Sequence, residues 1–116
     1  MKKIILSLFL IFGITACLFT VSQTSAFAQG KPTVLYIYGQ FCGACRQFEP
    51  TFDAAKAKFS QKFDFRAEEY NHSQKAQELN VTETPTVFIL DGNKAQKIGW
   101  QCLSSPGCFE QKLQNY

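Results

Sequence analysis

The chain of 116 residues is poor in the residues that most often build reactive centres: it has one histidine, one methionine and one tryptophan. The single histidine, His72, has no evident partner for holding a metal ion and reads as a surface residue near a helix start. Arg46 follows the second of two close cysteines, Cys42 and Cys45, at the place where haem attachment needs a histidine, so that chemistry is excluded. Runs of like charge are also missing. The formal net charge is only +3, and residues 29–116 carry ten Lys and Arg against nine Asp and Glu. That balance gives no basis for a nucleic-acid footprint or a polybasic membrane patch. The same stretch holds no repeat, low-complexity tract or linker, and its 88 residues fit one small domain.

The first 28 residues differ in kind. Lys2 and Lys3 precede a long apolar run from Ile4 to Val21 without an acidic residue, followed by the polar stretch Ser22 to Ser25 and the small-residue pattern Ala26-Phe27-Ala28. This is the order of a secretory signal, with cleavage expected after Ala28, so that residues 1–28 form the signal peptide and residues 29–116 the mature domain. Two other readings compete with it. Ile4 to Val21 approaches the ~20 residues that span a bilayer, as a retained anchor would. Ile14-Thr15-Ala16-Cys17 also has the form of a lipoprotein cleavage site, which would make Cys17 a lipidated terminus, although Leu18-Phe19 after it is unusual there. Either way the expected location is periplasmic or otherwise exported.

Beyond the leader four cysteines remain: Cys42, Cys45, Cys102 and Cys108. An even count in a small exported chain implies disulfides and an oxidising compartment. Fifty-six residues separate Cys45 from Cys102, which points to two local bridges rather than one long cross-link. Cys102 and Cys108 flank Leu103-Ser104-Ser105-Pro106-Gly107, a segment able to turn back on itself, and are expected to form a disulfide that anchors a last helix. The sharper alternative is that they relay electrons to Cys42.

Thr33 to Tyr38 is a run of β-branched, aliphatic and aromatic residues between Pro32 and Gly39, which predicts a central strand buried on both faces. Cys45, Phe48, Phe52, Ala55 and Phe59 then recur at helical spacing, with Cys42 just before the first turn and Pro50 as a kink inside the pattern. A second strand is expected over 63–67, a short helix over 73–79 with Asn80 as its stop, and a third strand over 86–90. Asp91-Gly92 should make a hairpin into a more polar edge strand over 94–100, and Ser105 and Pro106 should open a final helix. The order βαβαββα implies an α/β domain in which helices cover a mixed four-stranded sheet.

Cysteines three apart at a helix start suit three roles: metal ligands, a structural bridge or a redox dithiol. Zinc would need the second pair as well, whose five intervening residues exceed the usual spacing, and free thiolates are disfavoured in an oxidising compartment. For redox work the site is apt. A helix N-terminus presents unpaired N–H groups and a positive dipole end, which stabilise the thiolate that attacks disulfides. Cys42 is placed to be the exposed nucleophile and Cys45, on the buried stripe, the resolving thiol.

The stretch "VLYIYGQFCGACRQFEP" resembles the active-site segment of the thioredoxin superfamily, including Pro50 eight residues after Cys42. "NVTETPTVFIL" is similar to that superfamily's cis-proline segment. The resemblance spans Thr33 to Tyr116 and implies a minimal thioredoxin-like fold. It also implies that Pro85 is cis and lies against the reactive cysteine, that the Thr84 backbone pairs with substrate, and that Gly99 sits beside the site. Trp100 next to Gly99 is a candidate wall of the substrate groove, or an ordinary packing residue of the edge strand. Three departures stand out: Phe41 replaces the usual Trp, Gly43-Ala44 the usual Gly-Pro, and Tyr36 the acidic residue six positions before the first cysteine. Without that carboxylate, the proton of Cys45 would be handled through water or Tyr36.

Together these features predict an exported thiol-disulfide oxidoreductase acting through Cys-Gly-Ala-Cys on protein thiols or disulfides, with a membrane or periplasmic redox partner. No nucleic acid, metal or other cofactor is expected, and the protein is expected to be a monomer. The alternative is a secreted binding module that keeps the fold and two inert disulfides.

Overall fold

The computed structural model describes residues 30–116. The leader, its cleavage site and Cys17 lie outside the described residues.

Strand β1, Thr33–Tyr38, is central: Val34, Leu35, Tyr36 and Ile37 are all buried, which explains why this segment is apolar without alternation. It pairs in parallel with β2 (Asp64–Glu69) and antiparallel with β3 (Thr86–Asp91), and β3 pairs antiparallel with β4 (Lys94–Ile98). The sheet order is β2-β1-β3-β4, so the polar strand β4 is an edge, as its composition predicts. Gly92, at φ 60°, takes the left-handed conformation that the hairpin requires.

Side chains alternate between two cores. Val34, Tyr36, Val87, Ile89 and Ile98 pack with helix α1 (Gly43–Phe59), helix α3 (Trp100–Leu103) and helix α4 (Pro106–Gln114) through Phe48, Phe52, Leu103, Phe109 and Leu113. Leu35, Ile37 and Phe88 face the other way, where Ala76 of the short helix α2 (Gln74–Glu78), Val81 and the partly buried Leu79 and Leu90 pack with them. The larger core is aromatic. Phe48 meets Tyr36 edge-on at 5.2 Å between centroids and Phe109 at 5.1 Å, geometries worth roughly 0.5–1.5 kcal/mol each beyond the area buried.

Local signals fix most element ends. Ser73 caps α2 by accepting the Ala76 N–H at 3.0 Å while its hydroxyl donates to Glu68 at 2.6 Å. Asn80, at φ 53°, stops the chain just beyond that helix, in the role its sequence position suggests. Lys56 and Lys58 occupy the last turn of α1, where positive charge suits the dipole, and Lys58 pairs with Glu110 of α4. Among the described residues no helix is long and apolar enough to cross a membrane.

Two expectations need correction. Trp100 does not continue the edge strand: β4 ends at Ile98, and Trp100 begins the four-residue helix α3, which turns the chain inward so that Leu103 reaches the core. Ser105 occupies the cap position of α4, but its hydroxyl makes no cap bond and donates instead to the Gln101 carbonyl at 3.2 Å. That carbonyl belongs to the helix just ended, and satisfying it competes with capping the next one.

Candidate active site

The chain leaves β1 through Gly39, Gln40 and Phe41 and enters α1 with Cys42 at the N-cap position. Caps are ordinarily oxygen side chains. Here a sulfur takes the place: Cys42 Sγ accepts the Cys45 N–H at 3.0 Å, while the Cys42 carbonyl accepts the Arg46 N–H at 3.3 Å. Cys42 and Cys45 are joined in a disulfide with Cα atoms 5.1 Å apart. Their exposures differ as the helical stripe requires, Cys45 being 4% exposed and Cys42 half-buried. No acidic residue stands in the first turn of α1, so nothing there competes with a Cys42 thiolate for the positive end of the helix.

The Thr84–Pro85 bond is cis and Pro85 is buried, with the preceding loop held by a 2.6 Å hydrogen bond from the Thr86 hydroxyl to the Glu83 carbonyl. This loop lies against the turn that carries the cysteines. A Cβ placed on Gly39 would fall 3.0 Å from Thr84 Oγ1 and 3.5 Å from Cys42 Cβ, so Gly39, Cys42 and Thr84 meet in one small space. The structure therefore gathers Cys42, Cys45, Thr84 and Pro85. Gly99 caps α3 in ordinary extended backbone, and a side chain there would meet nothing within 4 Å. Trp100, 39% exposed, borders a hollow of about 130 Å³ formed with Gln47, Phe48, Thr51, Leu103 and Ser104 along the flank of α1. Cys102 and Cys108 form the second disulfide, Cα atoms 5.1 Å apart, joining α3 to α4.

Two features of the site were visible in the sequence only as departures from the superfamily pattern. Phe41, adjacent to Cys42, is 94% exposed; a large apolar residue with no partner in any periodic pattern was the available signal for that exposure. Tyr36 was visible as a departure, but not its contact. Its buried hydroxyl donates to the Cys45 carbonyl at 3.1 Å, so it addresses the backbone of the second cysteine and not its sulfur. Burial first, then the negative charges of Glu49 and Asp53 together with Tyr38, hold the Tyr36 proton well above the usual tyrosine range. A hydroxyl so placed is a donor and not a base.

The arrangement pairs a half-buried, helix-capping sulfur with a more deeply buried sulfur behind it and a cis-proline loop beside it. Comparison with known proteins agrees with that picture. The thioredoxin family model matches residues 19–102. Among curated proteins, the chain is 32% identical over 81 residues to a thioredoxin domain-containing protein of Acanthamoeba polyphaga mimivirus, covering 62% of this chain and 23% of that one. It is 31% identical over 97 residues to the thiol:disulfide interchange protein DsbD of Yersinia enterocolitica, covering 76% of this chain and 17% of that one. The chain thus spans less than a quarter of the length of these two relatives. It is 30% identical over 81 residues to an H-type thioredoxin of Oryza sativa subsp. indica, covering 69% of this chain and 66% of that one. Among solved structures, thioredoxin from Trypanosoma brucei brucei superposes with a TM-score of 0.64 at 21% identity, covering 76% of each chain, a likeness of fold. The Deadhead thioredoxin of Drosophila melanogaster gives 0.59 at 26% identity over 76% of this chain and 79% of that one.

Proposed function

The chain belongs to the thioredoxin family, and from that premise we propose that it is an exported thiol-disulfide oxidoreductase whose Cys42–Cys45 pair exchanges disulfides with protein substrates. The observation that carries this reading is the sulfur cap: Cys42 Sγ sits at the start of α1, accepts the Cys45 N–H, and has the buried Cys45 bridged to it from behind.

In the reducing direction the Cys42 thiolate attacks one sulfur of a substrate disulfide, and the other substrate sulfur leaves as a thiolate that takes up a proton. Cys45 then loses its proton and attacks Cys42 Sγ, forming the internal disulfide and releasing the second substrate thiol. Two electrons pass from the dithiol to the substrate. Run backwards, the same steps oxidise a substrate dithiol. The helix N-terminus and the Cys45 N–H favour the thiolate of Cys42, which raises the fraction present as the attacking species and, in the oxidising direction, makes Cys42 the better leaving group when a second substrate thiolate attacks the substrate sulfur of the mixed disulfide. Because Cys45 is buried, it has access to Cys42 and not to a second substrate. The cis-proline loop at Thr84, in contact with the turn that carries Cys42, is the surface on which an extended substrate segment would lie.

Export rests on the basic and apolar leader with its Ala26-Phe27-Ala28 site and on the pairing of all four remaining cysteines. The redox partner of such a domain is a membrane or periplasmic dithiol protein. The second disulfide acts as a structural staple.

Insulin reduction and oxidative refolding of a reduced protein, with Cys42→Ser and Cys45→Ser variants, test the reading. Wild type should act in at least one assay, Cys42→Ser in neither, and Cys45→Ser should accumulate mixed disulfides. Full activity after Cys42→Ser would reject it. Inactivity of wild type together with an ordinary Cys42 thiol pKa near 8.5 would leave the chain as a binding module on the same fold.

A further inference from the structure

The buried hydroxyl of Tyr36 is not used in the exchange steps above, and its placement gives it a role in them. It donates to the Cys45 carbonyl at 3.1 Å. The other end of the same peptide unit is the Arg46 N–H, which donates to the Cys42 carbonyl at 3.3 Å. On the opposite side of Cys45, its own N–H donates to Cys42 Sγ at 3.0 Å. Both N–H groups that hold Cys42 therefore flank Cys45, the residue whose carbonyl Tyr36 grips from within the core. Hydrogen bonds in series polarise one another, and a donor fixed at one end orients the donors beyond it.

We propose that Tyr36 is a positioning residue for the thiol chemistry: by anchoring the Cys45 carbonyl it keeps the Cys45 and Arg46 N–H groups aimed at Cys42 and so favours the Cys42 thiolate. The inference rests on the thiol-disulfide reading given above. Tyr36 can serve in this way because it is well fixed itself. It is 2% exposed, with its ring packed against Phe48 and Phe52 at 5.2 and 5.0 Å. It also stays neutral, so the anchor persists over the pH range in which Cys42 titrates; the groups that bear on it are Glu49, Tyr38 and Asp53. Local geometry adds a reason for an anchor here. Pro50 has no N–H to offer the Arg46 carbonyl, so the ladder of α1 is incomplete one residue beyond the carbonyl that Tyr36 holds.

The test is Tyr36→Phe, which removes the hydroxyl and keeps the ring. Cys42 is titrated by thiolate absorbance in the reduced protein, and the Cys42–Cys45 equilibrium with glutathione is measured without any protein substrate. Loss of the anchor should raise the Cys42 pKa by about half to one unit and shift the equilibrium toward the disulfide by about three- to tenfold, the upper figure being ~30 mV for a two-electron couple. Tyr38→Phe removes a hydroxyl from the neighbouring ring, centroid 5.8 Å away, and should change neither value. Site-specific 3-fluorotyrosine at position 36, a stronger donor of nearly the same shape, should move both values the other way, and it keeps the test open if Tyr36→Phe folds poorly. Unchanged pKa and equilibrium in Tyr36→Phe, with only lower melting temperature, would overturn the proposal. That outcome is distinct from failure of the functional reading, which shows as a wild-type protein without turnover.

Discussion

Removing the second disulfide separates its structural role from a part in electron transfer. Cys102 and Cys108 close a loop of sequence separation 6 between α3 and α4. With about seven residues in the ring, loop-closure entropy amounts to roughly 8 cal/mol/K, or about 2.4 kcal/mol at 25 °C. The two helices carry Leu103, Phe109 and Leu113 into the main core, so a slack connection loosens residues that are 0–3% exposed. In a domain of this size 1 kcal/mol moves the melting temperature by about 4–8 °C, which gives an expected fall of roughly 10–20 °C for Cys102→Ala with Cys108→Ala. Thermal unfolding by circular dichroism, with the Cys42–Cys45 bridge verified intact by mass spectrometry, measures it. Insulin reduction at 25 °C should stay within about twofold of wild type, because the staple constrains the unfolded chain and not the reacting sulfurs. A fall below about 3 °C would refute the staple, and a folded double variant without turnover would show that the second pair belongs to the electron path.

Three further perturbations probe Tyr36, the Gly39–Thr84 contact and Asn80. The folded state keeps the Tyr36 proton above the ordinary value of 10.0, so the stability this contributes is whole below about pH 10 and is lost as pH rises beyond it. Urea unfolding from pH 9 to 12 should therefore fall more steeply for wild type than for Tyr36→Phe, by up to ~1.4 kcal/mol per pH unit, and equal slopes would refute the burial argument. Gly39→Ala and Thr84→Ala should be coupled, because the new Cβ meets Thr84 Oγ1 at 3.0 Å: alanine at 39 should be better tolerated by at least ~0.5 kcal/mol once the hydroxyl is gone, and additivity would contradict the contact. At Asn80, φ 53° predicts that Asn80→Ala costs about 1 kcal/mol in chemical denaturation while Asn80→Gly is neutral or stabilising; equal effects would argue against left-handed backbone there.

The parts of the fold legible in sequence are those where one residue pattern answers one environment. β1 and β3 read as apolar runs because both their faces are covered, and α1 reads through Pro50 because its buried stripe of Cys45, Phe48, Phe52 and Ala55 continues on both sides of the proline. β2 was only half legible. Phe63 and Phe65 alternate toward the core, but Arg66, Glu68 and Glu69 lie on an edge strand, and the strand extends to Glu69 because it pairs with Tyr38 of β1. α3 was not legible: four residues carry no full helical period, and Ile98, Trp100 and Cys102 mimic strand alternation. In the site, the pairing and unequal burial of Cys42 and Cys45 follow from local spacing, whereas the Tyr36 contact depends on the register between β1 and the first turn of α1. No one-dimensional pattern encodes that register.

Charge and capping at the start of α1 connect fold and chemistry. Most helices settle their N-terminal donors with an oxygen cap and place acidic side chains in the first turn. Here the first turn has no acidic residue, and the capping atom is the sulfur of Cys42, the nucleophile in the proposed exchange. The positive end of a 17-residue helix is therefore left for Cys42, and reduction to the thiolate supplies the negative charge that this end lacks. The core side adds no opposing charge, because the residue facing Cys45 from β1 is a neutral tyrosine whose hydroxyl donates, where a buried carboxylate would repel a thiolate. Both effects stabilise the reduced, ionised form relative to the disulfide. A Cys42–Cys45 potential less reducing than the about −270 mV of thioredoxin follows, and a glutathione equilibrium at or below that value would show that some other group restores the balance.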